Sequence, residues 1–599
     1  MDKSKYRQSG WRLDELMESF GEDDVKNALA AVMETTALIV ALRDKLGPDI
    51  STESFKEGLS HLEEFSWRAV RLQGAAELWF SSDTQDQEAL ALMGQVEQAL
   101  TEAHNRIMFF SLWWRALDAK NAERLMESSG WLRYYLYKQR LFSPHTLSEP
   151  EEKVIGLKDL NGVGALTTIY DIITNKFVFS IEVDGKTKQM SRDELAAFVR
   201  HPSPEMREAA YREQYRIFGN EATVLGQIYI NIVRDWKSEN MSLRGFGSPL
   251  SARNLSNHIP DNVVDTLLDV CKSEAGVFRN YFKMKAKRIG PNKSDKSDKS
   301  NRLRRFDLYA PVSSVKQEDI PYPEAVEMVM DSFNAFSPEI AALAKQVLDD
   351  GHLDSEIRPG KRGGAFCFSV SPKLSPWVLV NYTGEPRQVA TLAHELGHAV
   401  HSLLASEHSI LTFHAPLPLA ETASVFSEML LTDRLLEKVK DPGARQDILF
   451  ETIDNIYATV LRQAFFVLFE REAHEAVQSG NTINQLSDIY MENLKTQFGD
   501  GVDIDPVFRN EWISIPHIFH TPFYCYAYSF GMLLSLSLYK RYKEEGDAFT
   551  PVLFRILSHG GATSPSDILT EAGVDMADPA FWRGGFRVIE DMVAKLETN

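Results

Sequence analysis

The chain is poor in cysteine: Cys271, Cys367 and Cys525 are the only three in 599 residues. They are too few and too scattered for a disulfide framework, and no two have the CxxC spacing of a metal or redox site. A reducing compartment is therefore expected. There is no run of about 18 apolar residues to cross a membrane. The N-terminal stretch MDKSKYRQSGWRLDEL lacks the apolar core of a signal peptide. These two absences lead to an expected cytoplasmic location with no membrane partner. Positive charge is in deficit, with 65 basic against 85 acidic residues and a formal charge of −20. That balance argues against nucleic acid as a partner. No supersecondary repeat of fixed period is present, and strand signals are few.

Helical periodicity is abundant. Amphipathic segments run near 24–46, 87–128, 203–240, 261–288, 323–350, 446–478 and 526–544. A hairpin is expected around Phe177–Val183, with Asp184-Gly185 as its turn. Two further short strands flank Pro372–Ser375. The expected fold class is mainly α, with a small β-sheet beside one particular helix. The length exceeds what one small core can organise. A division near His201-Pro202-Ser203-Pro204 gives an N-terminal helical domain, 1–200, covering a catalytic domain, 201–599. The low-complexity stretch Lys293–Ser300 reads as a solvated surface insertion.

The particular helix carries His394-Glu395-Leu396-Gly397-His398 within TLAHELGHAVH. Residues four apart on a helix share a face, so the two imidazoles project side by side. Such a pair fills two corners of a tetrahedral zinc site. Glu395 is turned about 100° from His394, enough to miss the metal and reach a water at the open position. This is the arrangement of a metallopeptidase. Leu392, Leu396 and Val400 supply an apolar side for burial. Gly397 costs about 1 kcal/mol relative to Ala in a helix interior, so it implies that something passes close to the backbone between the histidines.

A third ligand must come from elsewhere. His401 is followed by Ser402, Leu403 and Leu404, which rules out the HExxHxxGxxH form. In LAETASVFSE, Glu421 and Glu428 lie seven residues apart, two turns along one face, among Leu419, Ala420, Ala423, Val425 and Phe426. One of these carboxylates is expected to bind the metal and the other to orient a ligand histidine. Gly363-Gly364-Ala365, before a short alternating run, suggests a strand edge that an extended peptide can join through main-chain hydrogen bonds.

TLAHELGHAVH followed by LAETASVFSE resembles the thimet oligopeptidase-like zinc peptidases of family M3, and more closely their oligoendopeptidase F branch. KRGGAFCFSVSP, WVLVNYTG and IPHIFHTPFYCYAYSFG agree with this, and the resemblance covers roughly residues 202–586. It implies a multi-helical gluzincin-type peptidase enclosing a deep substrate channel. It also implies one Zn2+ per chain held by His394, His398 and Glu421, with Glu395 as general base. His517 matches the family histidine of the C-terminal segment and Tyr526 its oxyanion tyrosine. Tyr524 substitutes for a tyrosine at the place of Phe523, and the role of His520 is open. The function expected is hydrolysis of internal bonds in short unstructured oligopeptides. The alternatives are a zinc carboxypeptidase of similar helical fold and a peptide-binding protein without catalysis.

Overall fold

The computed structural model describes residues 6–290, 302–312 and 318–598, so the stretch 293–300 lies outside the described residues. The chain forms two compact units and crosses between them several times. The first comprises 1–149, 317–437 and 538–575; the second comprises 150–316, 438–537 and 576–599. The fold is mainly α, as the periodicity implies, with short sheets of two or three strands.

In the first unit, helices Glu22–Val40, Thr52–Ser82 and Gln87–Ala116 pack on one another. Side-chain caps fix two of the starts: Ser51 accepts from the Ser54 amide and Asp86 from those of Glu88 and Ala89. The segment expected over 87–128 breaks at Leu117, where ψ is 139°, and restarts at Ala119 with Asp118 as its cap. Helix Thr52–Ser82 is the longest helix that periodicity does not flag; Ile483–Phe498 and Pro579–Thr598 are missed as well. Its buried face includes Gly58, Ala69, Gly74, Ala75 and Ala76. Small side chains give little hydrophobic contrast, and they allow close packing instead. A Cβ on Gly74 would stand 2.8 Å from Val370 Cγ2. Segment Glu22–Lys45 is long and apolar enough, by length and composition alone, to cross a membrane. Here the helix buries Val25, Val32, Thr35, Thr36 and Ile39 against its two neighbours.

The core of these helices continues into Val370 and Trp377, on the segment of chain that forms a three-stranded sheet. In that sheet Trp377–Leu379 is central, parallel to Leu353–Asp354 and antiparallel to Phe366–Phe368. Helix Arg387–Leu404, which contains HELGH, packs on this sheet and on helices Tyr322–Phe336, Pro338–Asp349 and Thr550–Ser558. The N-terminal helices thus share one core with the sheet beside HELGH. The boundary expected near His201 falls inside the second unit.

The second unit is helical, with the expected hairpin formed by Phe179–Val183 and Lys186–Met190. Asp184 and Gly185 both have positive φ, 53° and 73°, as a two-residue turn that follows strand twist requires. Its interior holds buried ion pairs, Arg305–Glu511 at 2.9 Å, Arg207–Asp307 at 2.8 Å and Lys285–Asp454 at 2.5 Å.

Candidate active site

Helix Arg387–Leu404 buries Leu392, Leu396, Ala399 and Val400 on one side and presents His394 and His398 on another. Their rings lie edge to face with centroids 4.8 Å apart. The close neighbour that Gly397 implies is the helix Thr422–Lys438. A Cβ on Gly397 would sit 2.7 Å from Ser424 Cα and 2.8 Å from Ala423 O. Only glycine lets the two backbones approach this closely. Glu421 occupies the junction between the short helix Leu417–Ala420 and Thr422–Lys438, and Glu428 lies two turns into the latter.

This approach brings three donor atoms together. His394 Nε2 and His398 Nε2 are 3.2 Å apart, and each is 3.4 Å from Glu421 Oε2. Metal–ligand bonds of about 2.0–2.2 Å in a tetrahedron place neighbouring donors about 3.3–3.5 Å apart. The triangle fits a small divalent cation. His394 Nδ1 lies 2.5 Å from Glu428 Oε1, so its ring donates there and turns Nε2 toward the shared centre. Ser424 Oγ donates to Glu421 Oε2 at 2.8 Å.

The local charge points the same way. Burial pulls the His394 imidazole down, but its hydrogen bond to Glu428 and the charges of Glu428, Glu421 and Glu395 outweigh it and raise it to about 9. His398 is lowered to about 4, chiefly by burial and against the pull of Glu421. Three carboxylates around two imidazoles leave an excess of negative charge that a cation would neutralise. Glu395 is buried, and that burial raises its carboxyl to about 7; His394 lowers it, and Glu421 and Glu428 raise it further. It borders a cavity of about 440 Å³ that also touches His394, His398, His401, Phe366 and Cys367. His401 is buried, and burial first, then His398, lowers it to about 4. A second acidic group, Asp159, Asp235 and Glu239, has no imidazole, and Glu239 pairs with Arg244 at 2.7 Å.

The glycine pair leads into the edge of the sheet. Phe366–Phe368 pairs only with Trp377–Leu379 among the described residues. Gly364 has φ +81°, and Asn381 Nδ2 holds the loop by donating to Arg362 O and Gly364 O at 3.0 and 2.8 Å. Gly363 has nothing within 4 Å of the place of a Cβ, and Ala365 joins Phe366 and Cys367 in lining the cavity.

His517, Tyr524 and Tyr526 belong to the second unit. His517 opens a short helix and is half-buried, its imidazole lowered by burial and then by His520 and Arg462. Tyr524 is half-buried and stacks on His517 at 6.1 Å. Tyr526 differs from its expected place as an oxyanion donor. It is 0% exposed, and its hydroxyl accepts from Asn257 Nδ2 at 2.8 Å. The helix begins at Tyr526, and two residues further on is about 200° around its axis. Tyr528 therefore emerges where Tyr526 does not. It is half-buried, its hydroxyl is 3.4 Å from His517 Nε2, and its ring meets Tyr524 at 5.2 Å. The signal for Tyr528 was its spacing of four from Tyr524, masked by the run of aromatic residues. His520 is exposed, and its Nε2 faces Asp171 Oδ2 at 3.0 Å.

Known proteins share this sequence and fold. The oligopeptidase PepF of Bacillus subtilis (strain 168) is 25% identical over 612 residues, covering 100% of this chain and 88% of that protein. An oligoendopeptidase F homolog of Borreliella burgdorferi is 24% identical over 544 residues, covering 89% of each. Among solved structures, one from Chlamydophila abortus has a TM-score of 0.86 at 23% identity, covering 100% of this chain and 99% of that one. Oligoendopeptidase-F from Enterococcus faecium has a TM-score of 0.71 at 22% identity, covering 95% and 97%. The sequence model of peptidase family M3 matches residues 197–588, the stretch that contains HELGH, both carboxylates and the His517 segment. The chain therefore belongs to peptidase family M3 and is a peptidase of the oligoendopeptidase F type.

Proposed function

We propose that this protein is a zinc-dependent oligoendopeptidase that cuts internal bonds of short unstructured peptides. The observation that carries this reading is the triangle of His394 Nε2, His398 Nε2 and Glu421 Oε2, with edges of 3.2–3.4 Å, beside the buried Glu395. One zinc ion per chain would be held there, and when bound it supplies Lewis-acid polarisation of the scissile carbonyl and a more acidic water. Glu395 accepts a proton from the attacking water as its oxygen bonds to the carbonyl carbon. It returns that proton to the amine nitrogen as the C–N bond breaks. Glu428 keeps the His394 ring in one orientation. The edge strand Phe366–Phe368, entered through Gly363, Gly364 and Ala365, aligns the peptide backbone. From the family resemblance of the segment IPHIFHTPFYCYAYSFG, His517, Tyr524 and, in place of the buried Tyr526, Tyr528 are assigned as donors to the developing oxyanion. A cytoplasmic location fits the three dispersed cysteines.

The test is an internally quenched peptide blocked at both ends. The zinc-loaded protein should cut it internally, and a carboxypeptidase would leave it intact. Glu395→Gln should lower turnover by about 10²–10⁴-fold with zinc content retained. The same sequence within the core of a stable domain should resist cleavage, because exposing it costs up to about 5–15 kcal/mol. An uncut blocked peptide, or full activity in Glu395→Gln, refutes the reading.

A further inference from the structure

The segment that carries Tyr524 and Tyr528 contains a strained turn. Tyr524 N donates to Thr521 O at 3.1 Å, closing a four-residue turn over Pro522 and Phe523. Phe523 has φ +59°. Proline in the second place and positive φ in the third is the type II pattern, whose third place normally belongs to glycine or asparagine. A buried phenylalanine there needs outside support.

That support grips the Pro522–Phe523 peptide at both ends. The Pro522 carbonyl accepts from Arg253 Nε at 3.2 Å. The Phe523 amide donates to Glu470 Oε1 at 2.9 Å. Glu470 is 0% exposed on helix Leu461–Gln478, and its second oxygen has no hydrogen-bond partner. The Phe523 ring is held against His474 at 4.6 Å and Trp236 at 6.3 Å. Flipping this one peptide plane is what separates a type II turn from a type I turn. A guanidinium on the carbonyl and a carboxyl oxygen on the amide oppose the flip. The next residue is Tyr524, and Tyr528 follows one turn along.

We propose that Glu470, with Arg253, is a positioning residue for the reaction. By fixing the Pro522–Phe523 peptide it sets where the hydroxyls of Tyr524 and Tyr528 stand beside His517. This rests on the reading above that the His517 cluster assists catalysis.

Glu470→Leu removes the acceptor at similar size, whereas Glu470→Gln keeps an oxygen for the Phe523 amide. With the quenched peptide, Glu470→Leu should lose about 10–100-fold in kcat, the scale of a misplacement near 1 Å. KM and zinc content should stay near the parent values, and Glu470→Gln should restore kcat. Arg253→Met alters the half-buried end of the clamp without opening the core, and should lower kcat in the same direction. It decides the matter if Glu470→Leu does not fold. Parent-like kcat in folded, zinc-loaded Glu470→Leu, or in Arg253→Met where Glu470→Leu does not fold, overturns the proposal. So does a loss that Glu470→Gln shares in full. His517→Ala, Tyr524→Phe and Tyr528→Phe are measured alongside. If all three keep full turnover, the cluster is not catalytic and both readings fall. If they lose turnover while the clamp variants do not, only the clamp is refuted.

Discussion

Gly397→Ala tests how the ligand set is assembled. The added Cβ would lie 2.7 Å from Ser424 Cα, 2.8 Å from Ala423 O and 2.8 Å from Ser427 Oγ. Ser427 can turn away, but the other two atoms are backbone. Against a carbon contact of about 3.5 Å the shortfall is about 0.8 Å, so the helix Thr422–Lys438 must shift by a similar amount. Glu421 immediately precedes that helix and would move with it. Its two 3.4 Å edges to the histidines would open beyond the donor spacing of about 3.3–3.5 Å that a tetrahedral zinc site requires. Glu428 would be drawn from His394 at the same time. Disturbing such supporting contacts lowers metal affinity by about 10–100-fold. Fold stability should change less. Alanine gains up to about 1 kcal/mol in helix propensity, while overpacking costs about 1–3 kcal/mol. The assay is zinc affinity by titration against a buffered chelator, with circular dichroism to show that the helices persist. Activity lost at limiting zinc should return at high zinc. A folded variant with the parent's zinc affinity would refute the argument that this close approach builds the site.

Glu421→Ala should lose the metal, whereas Glu428→Ala should keep it with about 10–100-fold weaker affinity; bound zinc per chain after dialysis separates them, and the reverse order would exchange their roles. Tyr528→Phe should lower turnover by about 10²–10³-fold. Tyr526→Phe should instead cost about 1–3 kcal/mol of stability, because the buried Asn257 amide loses its acceptor. Steady-state kinetics and thermal melts on both variants check this, and a large turnover loss in Tyr526→Phe alone would restore that residue as the donor. Burial, opposed by the Phe523 amide and Arg253, raises the Glu470 carboxyl from 4.5 to about 8. The folded state then holds a proton that the unfolded chain releases, so this group's stabilisation is complete below 4.5 and is lost as pH rises toward 8. The slope reaches about 1.4 kcal/mol per pH unit. Melting temperatures of Glu470→Gln should gain on the parent across that range, and parallel curves would exclude the titration.

The chemistry of the first unit could be read in the sequence because it is local. Histidines four apart share a helix face wherever that helix lies, and the carboxylate between them is turned aside. A glycine in an apolar helix announces a close neighbour without naming it, and Glu421 and Glu428 share a face by spacing alone. Tertiary structure decided what depends on helix phase and on the partner. Glu421 meets both Nε2 atoms and Glu428 meets Nδ1 because Thr422–Lys438 crosses at Gly397. Tyr526 points into the core and Tyr528 out of it because the helix starts where it does, and alternating aromatics carry no mark of phase. The N-terminal helices share a core with the sheet beside HELGH because Val370 and Trp377 complete their apolar face. A boundary drawn from composition near residue 200 has no access to that contact between segments more than two hundred residues apart, since burial is settled by whichever surfaces fit and not by order along the chain.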